Sequence, residues 1–401
     1  MGAVMQGFRA PSAFDGSRFL PGGVLVLVED GRIVGVEPQE FPPPTDCTVT
    51  DLPGATLLPG LIDAHVHLCG DSGPRALDQL PDLDDDELDA IITASMSAQL
   101  AAGVTAVRDL GDARWAVADR HRGSPVGPTV VASGPPITSL DGHCAGMGGE
   151  AAGEAGLRRA VRERVEHGVD VVKIMTSGGL MTPTTDALAA QFTLHELRLV
   201  VDEAHRAGLP VAAHAHPLPA IELCVAAGVD SIEHCTCMTP GGVRMPPDLA
   251  DAIAAAGIAV SPTLGRIGVA VPPHIQAVLE RNHMTWEDRY PQIAALHRAG
   301  VALVAGVDAG INPAKPHGIV RESVVELVIA GLSTTDALAA GTAVAARACG
   351  IGEQTGRIAP GLEADLLAVG GDAAADITVL RAVRLVVSRG HAVVPEPPAG
   401  R

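Results

Sequence analysis

The sequence predicts an α/β protein: a (β/α)8 TIM-type barrel with a small β-sandwich formed from both chain termini. Three observations predict it. The first is a unit that recurs through the middle of the chain, a helical stretch ending in Ala-Gly or His-Gly followed at once by a short apolar run. Examples are "AAGVTAVRDLG" from 101, "EHGVDVVKIM" from 166, "RAGLPVAAHAH" from 206, "AAGVDSIEHC" from 226, "AAGIAVSPT" from 255 and "RAGVALVAGVDAG" from 298. Glycine suits the left-handed residue that stops a helix, and the apolar run behind it reads as a buried parallel strand. The second observation is that ionisable residues stand in register at the ends of these runs. Counted from the glycine, Lys173 lies five residues on, His214 six, His234 six and Asp308 eight. In a barrel the carboxyl ends of the strands share one face, where chemistry is done. The third is that the chain ends read as short β-rich runs. Residues 20–57 carry the hairpin signal Asp30-Gly31, and residues 358–396 alternate in the same way. The expected units are therefore 1–57 and 353–401 for the sandwich and 58–352 for the barrel.

Taken in order, the first barrel element is "LPGLIDAHVHL", residues 58–68. Alternate side chains of a strand face one way, so His65 and His67 converge on one point, and Asp63 shares their parity. The pair alone leaves open a metal or two neutral imidazoles in a polar barrel mouth. The acidic run "PDLDDDELDA" reads as a solvated helix start, since carboxylates favour a helix N-terminus. "EFPPPTD" reads as a rigid surface loop. Lys173 ends a strongly apolar run, where an unpaired charge is costly. It reads either as a desolvated amine of lowered pKa or as a carbamate formed with CO₂ and able to bridge two metal ions. Four imidazoles and a carboxylate suit zinc or a similar divalent ion.

Composition narrows the partners. With 28 Lys and Arg against 47 Asp and Glu, the formal charge is −19, which argues against nucleic acid or an anionic membrane. Aromatic residues are 2% of a chain that is 47% hydrophobic, so Ala, Val, Leu and Ile must build the core. Seven cysteines without framework spacing point to a reducing compartment, and no apolar stretch resembles a signal peptide or a membrane span. Met1-Gly2 lacks the Ser or Thr of a myristoylation site. A soluble, cytoplasmic protein is expected, with a homo-oligomer possible. Arg108, Arg266 and Arg321 are the cations considered for a substrate carboxylate.

The ordered set of motifs resembles the amidohydrolase superfamily, and within it the imidazolonepropionase-like and prolidase-like branch of binuclear metal hydrolases. "PGLIDAHVHL" looks like that family's first strand, "VVKIMTSGG" its carboxylated-lysine segment, and "VAAHAHPLPAI" and "GVDSIEHCT" its fifth and sixth strands. "GVDAG" resembles its last strand, and "GRIAPGLEADLLAV" its return into the β-sandwich. The resemblance implies two divalent ions, most often zinc. It implies that His65, His67 and Asp308 hold one ion, that His214 and His234 hold the other, and that N6-carboxylated Lys173 bridges them. It further implies a metal-bound hydroxide as nucleophile, with Asp308 moving its proton to the leaving amine.

His143, in "SLDGHCAGMGG", resembles the family's substrate-contacting histidine, with Cys144 and Asp141-Gly142 departing from the flanking glycines. His216 and His317 are the other expected substrate contacts. The substrate expected is a peptide-like amide: a dipeptide, an N-acyl amino acid, or a peptide natural-product precursor losing a follower segment. A cyclic amide or an ester or lactone is the alternative within the fold. A metal-free Schiff-base lyase using Lys173 and a non-enzymatic binding barrel are alternatives of other classes.

Overall fold

The computed structural model describes residues 5–393. The outermost parts of the two expected terminal units, and the Met1-Gly2 pair, lie outside these residues. Parallel strands Leu61–Val66, Val104–Asp109 and Thr129–Ala132 form one sheet. Val172–Met175, Val211–Pro217, Ser231–Thr239 and Ala259–Ser261 form a second. Backbone hydrogen bonds join the two at both ends. Ile137 N donates to the Lys173 carbonyl at 2.8 Å, and Met175 N to the Ile137 carbonyl at 2.8 Å. On the other side the extended segment 301–309 bonds to Val260 through Val304 N (2.9 Å), and to the first strand through Ala64 N to Ala305 O (3.0 Å) and His67 N to Ala309 O (2.8 Å). The parallel segments thus follow one another in chain order and the last returns to the first.

Each glycine expected to stop a helix does so with positive φ: Gly103, Gly168, Gly208, Gly228, Gly257 and Gly300 fall between 64° and 90°. The acidic run opens helix Asp85–Ala101, with Asp84 and Glu87 forming a reciprocal capping box. Helix Leu194–Arg206 has the same device in Thr193 and Glu196, and buries Leu197, Val200, Val201 and Ala204 at helical spacing. Two features depart from expectation. The strand Thr129–Ala132 follows no Ala-Gly stop. Its predecessor is a single five-residue turn of helix, Val117–His121, amid Gly and Pro. The segment 301–309 pairs only through isolated bridges, Val260 with Leu303 and Val66 with Ala309, and turns into the left-handed region at Asp308, φ 66°.

The chain ends build two further sheets. One contains Met5–Ala10, Val24–Glu29, Arg32–Glu37 and Cys47–Asp51. The Asp30-Gly31 pair turns between its second and third members with both φ positive, as a type I′ hairpin requires. The other sheet places Leu366–Gly370 between Ala55–Pro59 and Val383–Ser388, so both ends of the chain share it. One apolar cluster holds residues of both sheets, among them Phe8, Val26, Leu57, Leu366 and Val387. The larger core is aliphatic, as the scarcity of aromatics requires. The terminal sheets meet the amino end of the first parallel strand, where Gly60 N donates to the Asp365 carbonyl at 2.9 Å. The carboxyl ends are left for the site.

Candidate metal centre and active site

The carboxyl ends of the parallel segments surround a cavity of about 830 Å³. His65, His67, Lys173, His214, His234 and Asp308 all line it, together with His143 and His216. Ligand-competent atoms gather in two groups, His65–His67–Asp308 and His214–His216–His234, each within 4.8 Å of one another. The groups adjoin, for the rings of His65 and His234 are 5.4 Å apart between centroids.

In the first group, His65 Nδ1 lies 2.9 Å from Glu233 Oε2, and His67 Nδ1 lies 3.1 Å from the Gly111 carbonyl. Donation by Nδ1–H in each case leaves both Nε2 lone pairs facing inward, where Asp308 Oδ1 stands 3.4 and 3.1 Å away. A Cβ on Gly111 would fall 2.5 Å from the His67 ring, so this close approach needs glycine. Behind His65 is a buried ion pair, Arg108 to Glu233 at 2.8 Å. Asp63 is fully buried and accepts from His65 N (3.3 Å) and Val307 N (3.0 Å), which ties the first segment to the last.

The second group is held by neutral partners. His216 Nδ1 meets the Thr236 hydroxyl at 2.9 Å, His234 Nδ1 meets that of Thr263 at 2.8 Å, and His214 Nε2 meets the Gly178 carbonyl at 3.2 Å. His234, Thr263 and Asp308 all have positive φ, 68°, 49° and 66°. Such strain in residues with side chains gathers at functional sites. Lys173 is fully buried and its Nζ has no hydrogen-bond partner.

Burial, then the Lys173 charge, pulls His65 down to about 4. Burial brings His143 to about 3, and burial with the charge of Arg289 brings His216 to about 3. His214 and His234 fall well below the usual range through burial and crowding by other imidazoles. These imidazoles are neutral at physiological pH, the state that can ligate. His67 is the exception: burial opposes it, but the hydrogen bond and charge of Asp308 hold it above its ordinary value. Asp308 is held low against burial by the charge of His65 and the hydrogen bond from His67. Burial lowers Lys173 to about 8.

His143 is fixed by Thr182, whose hydroxyl lies 2.7 Å from Nδ1, and its ring centroid is 4.6 Å from that of His214. A Cβ on Gly179, in the "SGGLMTPTTD" loop, would lie 2.2 Å from His143 Nε2, so glycine is needed there too. Leu180 and Met181 of that loop line the cavity. His317 does not. Its Nε2 lies 2.9 Å from the Gly70 carbonyl and its Nδ1 3.3 Å from Gln99 Nε2, so both ring nitrogens serve the packing of the loop. The three arginines considered for a carboxylate are also engaged elsewhere: Arg108 with Glu233, Arg266 with Glu287 and the face of Trp286, Arg321 with the Gly318 carbonyl. The cations lining the cavity besides Lys173 are Arg289 and Lys315. Neither stands at the end of a Gly-stopped apolar run: Arg289 ends the turn Glu287–Arg289 and Lys315 follows the last parallel segment. Glu233 and Arg108 did leave a signal, since each is a charged residue at the end of an otherwise apolar run.

Comparison with known proteins agrees with this picture. The model of the amidohydrolase family matches residues 56–393. An ochratoxinase of Aspergillus niger is 28% identical over 377 residues, covering 82% of this chain and 73% of that one. An uncharacterized protein of Mycobacterium tuberculosis is 30% identical over 387 residues, covering 93% and 92%. The crystal structure of a Xaa-Pro dipeptidase with bound methionine superposes with a TM-score of 0.84 at 26% identity, covering 97% of this chain and 99% of that one. The overall architecture is accordingly a TIM-barrel-type fold of mixed α/β content. Given this match across most of its length, the chain belongs to the amidohydrolase family and is a hydrolase acting on C–N bonds.

Proposed function

We propose that the protein is a binuclear metal-dependent hydrolase of small peptide-like amides, such as dipeptides and N-acyl amino acids. The observation that carries this reading is the pair of adjoining donor groups with an unpartnered, buried Lys173 whose charge reaches His65 in one group and His214 and His234 in the other. The donor set fits divalent ions. All the imidazoles but His67, which Asp308 holds above its ordinary value, are neutral, the outer partners orient the rings, and imidazole with carboxylate favours zinc-like metals. His65, His67 and Asp308 would hold one ion, and His214 and His234 the other. N6-carboxylation of Lys173 would give the second group the anion it lacks, and the amine is suited to it because burial keeps part of it unprotonated. When bound, such ions supply a water activated near neutral pH and a Lewis acid for the scissile carbonyl.

The chain's own residues supply the rest. Asp308 is the sole carboxylate lining the cavity among the described residues, and so takes the proton of the attacking water and returns it to the leaving amine. Thr182 donating to His143 Nδ1 leaves Nε2–H to bond the substrate carbonyl. His216 contacts the substrate. The reading also takes the parallel segments as a closed (β/α)8 barrel over 58–352 and the terminal sheets as a β-sandwich from 1–57 and 353–401. The ochratoxinase and dipeptidase named above support an amide substrate. All seven cysteines are free, and no helix among the described residues is long and apolar enough to cross a membrane; both are compatible with a cytoplasmic enzyme.

The grouping of His216 with His214 and His234 favours a second reading of the ligands, in which three imidazoles hold the second ion and Lys173 stays an amine. Metal analysis, carbon-13 bicarbonate NMR and a screen of dipeptides and N-acyl amino acids test both. The first reading expects two ions per chain, a carbamate signal, and loss of both the signal and turnover in Lys173→Ala. Full activity in Lys173→Ala without bound metal would sink the binuclear hydrolase. Loss of the second ion in His216→Ala but not in Lys173→Ala would favour the three-imidazole set.

A further inference from the structure

Two cations on the cavity wall form no ion pair among the described residues, although Glu326 lines the second chamber with them. Arg289 is buried, 5% exposed, and donates through Nη2 to the carbonyls of Pro262 and His234. Its Nε is buried without a partner. Half-buried Lys315 donates through Nζ to the carbonyls of Thr263 (2.9 Å) and Val307 (2.6 Å), which leaves one ammonium hydrogen free. Among the described residues neither forms an ion pair. Glu326 and Asp308 act on them only through space. An uncompensated cation in such a place is costly. Where this chain buries an arginine to support the site it supplies a carboxylate, as Glu233 does for Arg108. Arg164 is also unpaired, but its donors go to the carbonyls of Ala160 and Pro135 and its guanidinium lies over Trp115. Arg289 and Lys315 instead face the cavity, and a second chamber of about 440 Å³ shares them as lining.

We propose that Arg289 and Lys315 form the subsite for a substrate carboxylate, so that the amide cleaved is an N-acyl or N-terminally extended amino acid with a free carboxylate and an apolar side chain. This rests on the amide-hydrolase reading above. The carboxylate belongs to the leaving side. Lys315 is bonded to the carbonyl of Val307, the residue before Asp308, which places it beside the group that returns a proton to the departing amine. The apolar requirement comes from the same wall, where Ile275, Met284 and Trp286 stand with the two cations. Methionine there adapts to different apolar shapes. A cationic side chain is disfavoured, because Asp308 is the sole acid among the described lining residues and already serves His65 and His67.

The test compares N-acetyl-L-phenylalanine with N-acetyl-L-phenylalaninamide, following release of the amine, in the metal-loaded wild type, Lys315→Met and Arg289→Gln. The wild type is expected to favour the acid in kcat/KM by on the order of 100-fold, and each variant to lose most of that ratio, chiefly through KM. Equal use of the two compounds by the wild type, or a loss in the variants that falls equally on both, overturns the proposal. The second pattern is what a purely structural role predicts. If Arg289→Gln fails to fold for want of its bond to the Pro262 carbonyl, Lys315→Met decides alone. If neither compound turns over, the hydrolase reading fails separately, and calorimetry with L-phenylalanine judges the subsite. Binding to wild type that is absent in Lys315→Met supports it, and no binding to wild type overturns it.

Discussion

The two halves of the site are built from the same residue type and supported in opposite ways. The His65–His67–Asp308 half is charged: a carboxylate stands among the donors, and a second, Glu233, stands behind His65 and is itself paired with Arg108. The His214–His216–His234 half rests on two hydroxyls and a carbonyl, with no carboxylate among its partners. A divalent ion in the first half meets anions already in place. One in the second would have to obtain its anion elsewhere, and in the proposed reading Lys173, buried and unpartnered, would provide it after carboxylation. The comparison teaches that an unpartnered buried amine can be the complement of an otherwise neutral donor set.

Four measurements break or sharpen the contrast. The largest effect is expected of Asp308→Asn, which keeps the shape of the charged half but removes its acid–base group. Turnover should fall by on the order of 10³-fold while metal persists in the neutral half, by elemental analysis. Near-wild-type turnover would remove Asp308 from proton transfer. Next is Glu233→Gln, which leaves Arg108 buried without its partner. Metal affinity in the first half should weaken about 10- to 100-fold, and stability should drop by about 3–5 kcal/mol in denaturant titration.

Third is a pH effect confined to the neutral half. Only the unprotonated amine reacts with CO₂, and burial lowers Lys173 to about 8, so the fraction available rises with pH up to that point and then levels. Reactivation of metal-stripped protein at fixed dissolved CO₂ should quicken roughly tenfold from pH 7 to 9. A rate flat or falling over this range would point to three imidazoles without a carbamate. The smallest effect is expected of Thr263→Val, which removes a neutral support of His234. A loss in second-ion affinity of roughly tenfold or less is expected, below that of Glu233→Gln. The reverse order would mean that hydroxyls matter more here than charge.

Much of this was legible in the sequence because strand and helix periods are local. The Gly-stopped helices and the apolar runs appear where the residues predict them, and the residues counted from each glycine do meet at one cavity. What escaped was set by tertiary structure. Strand Thr129–Ala132 is framed by Gly and Pro and no true helix, so the repeat gives no cue. His317 looked like a mouth residue, yet contacts with Gly70 and Gln99, both far away in the chain, fix it in packing. Arg289 ends a helical turn at Glu287–Arg289 and Lys315 lies in the loop after the last parallel segment, and only the tertiary structure brings both to the cavity. The charged pair Arg108 and Glu233 lay between these extremes. Each stands at the end of an otherwise apolar run, but their pairing spans separate strands.

The shared terminal sheet has a consequence for how the molecule is made. Leu366–Gly370 is hydrogen-bonded on one side to Ala55–Pro59 and on the other to Val383–Ser388, so the early strand gains this neighbour only after the whole parallel-strand region has been synthesised. Until then Ala55–Pro59, every residue of which ends up buried, is an apolar edge without that partner. Such long-range pairing forms slowly, and a waiting edge is a place for wrong associations. Assembly of this enzyme should therefore finish at a sheet on the amino-end side of the parallel strands, away from its chemistry, and a lesion there would lower the yield of folded protein before it altered a single catalytic contact.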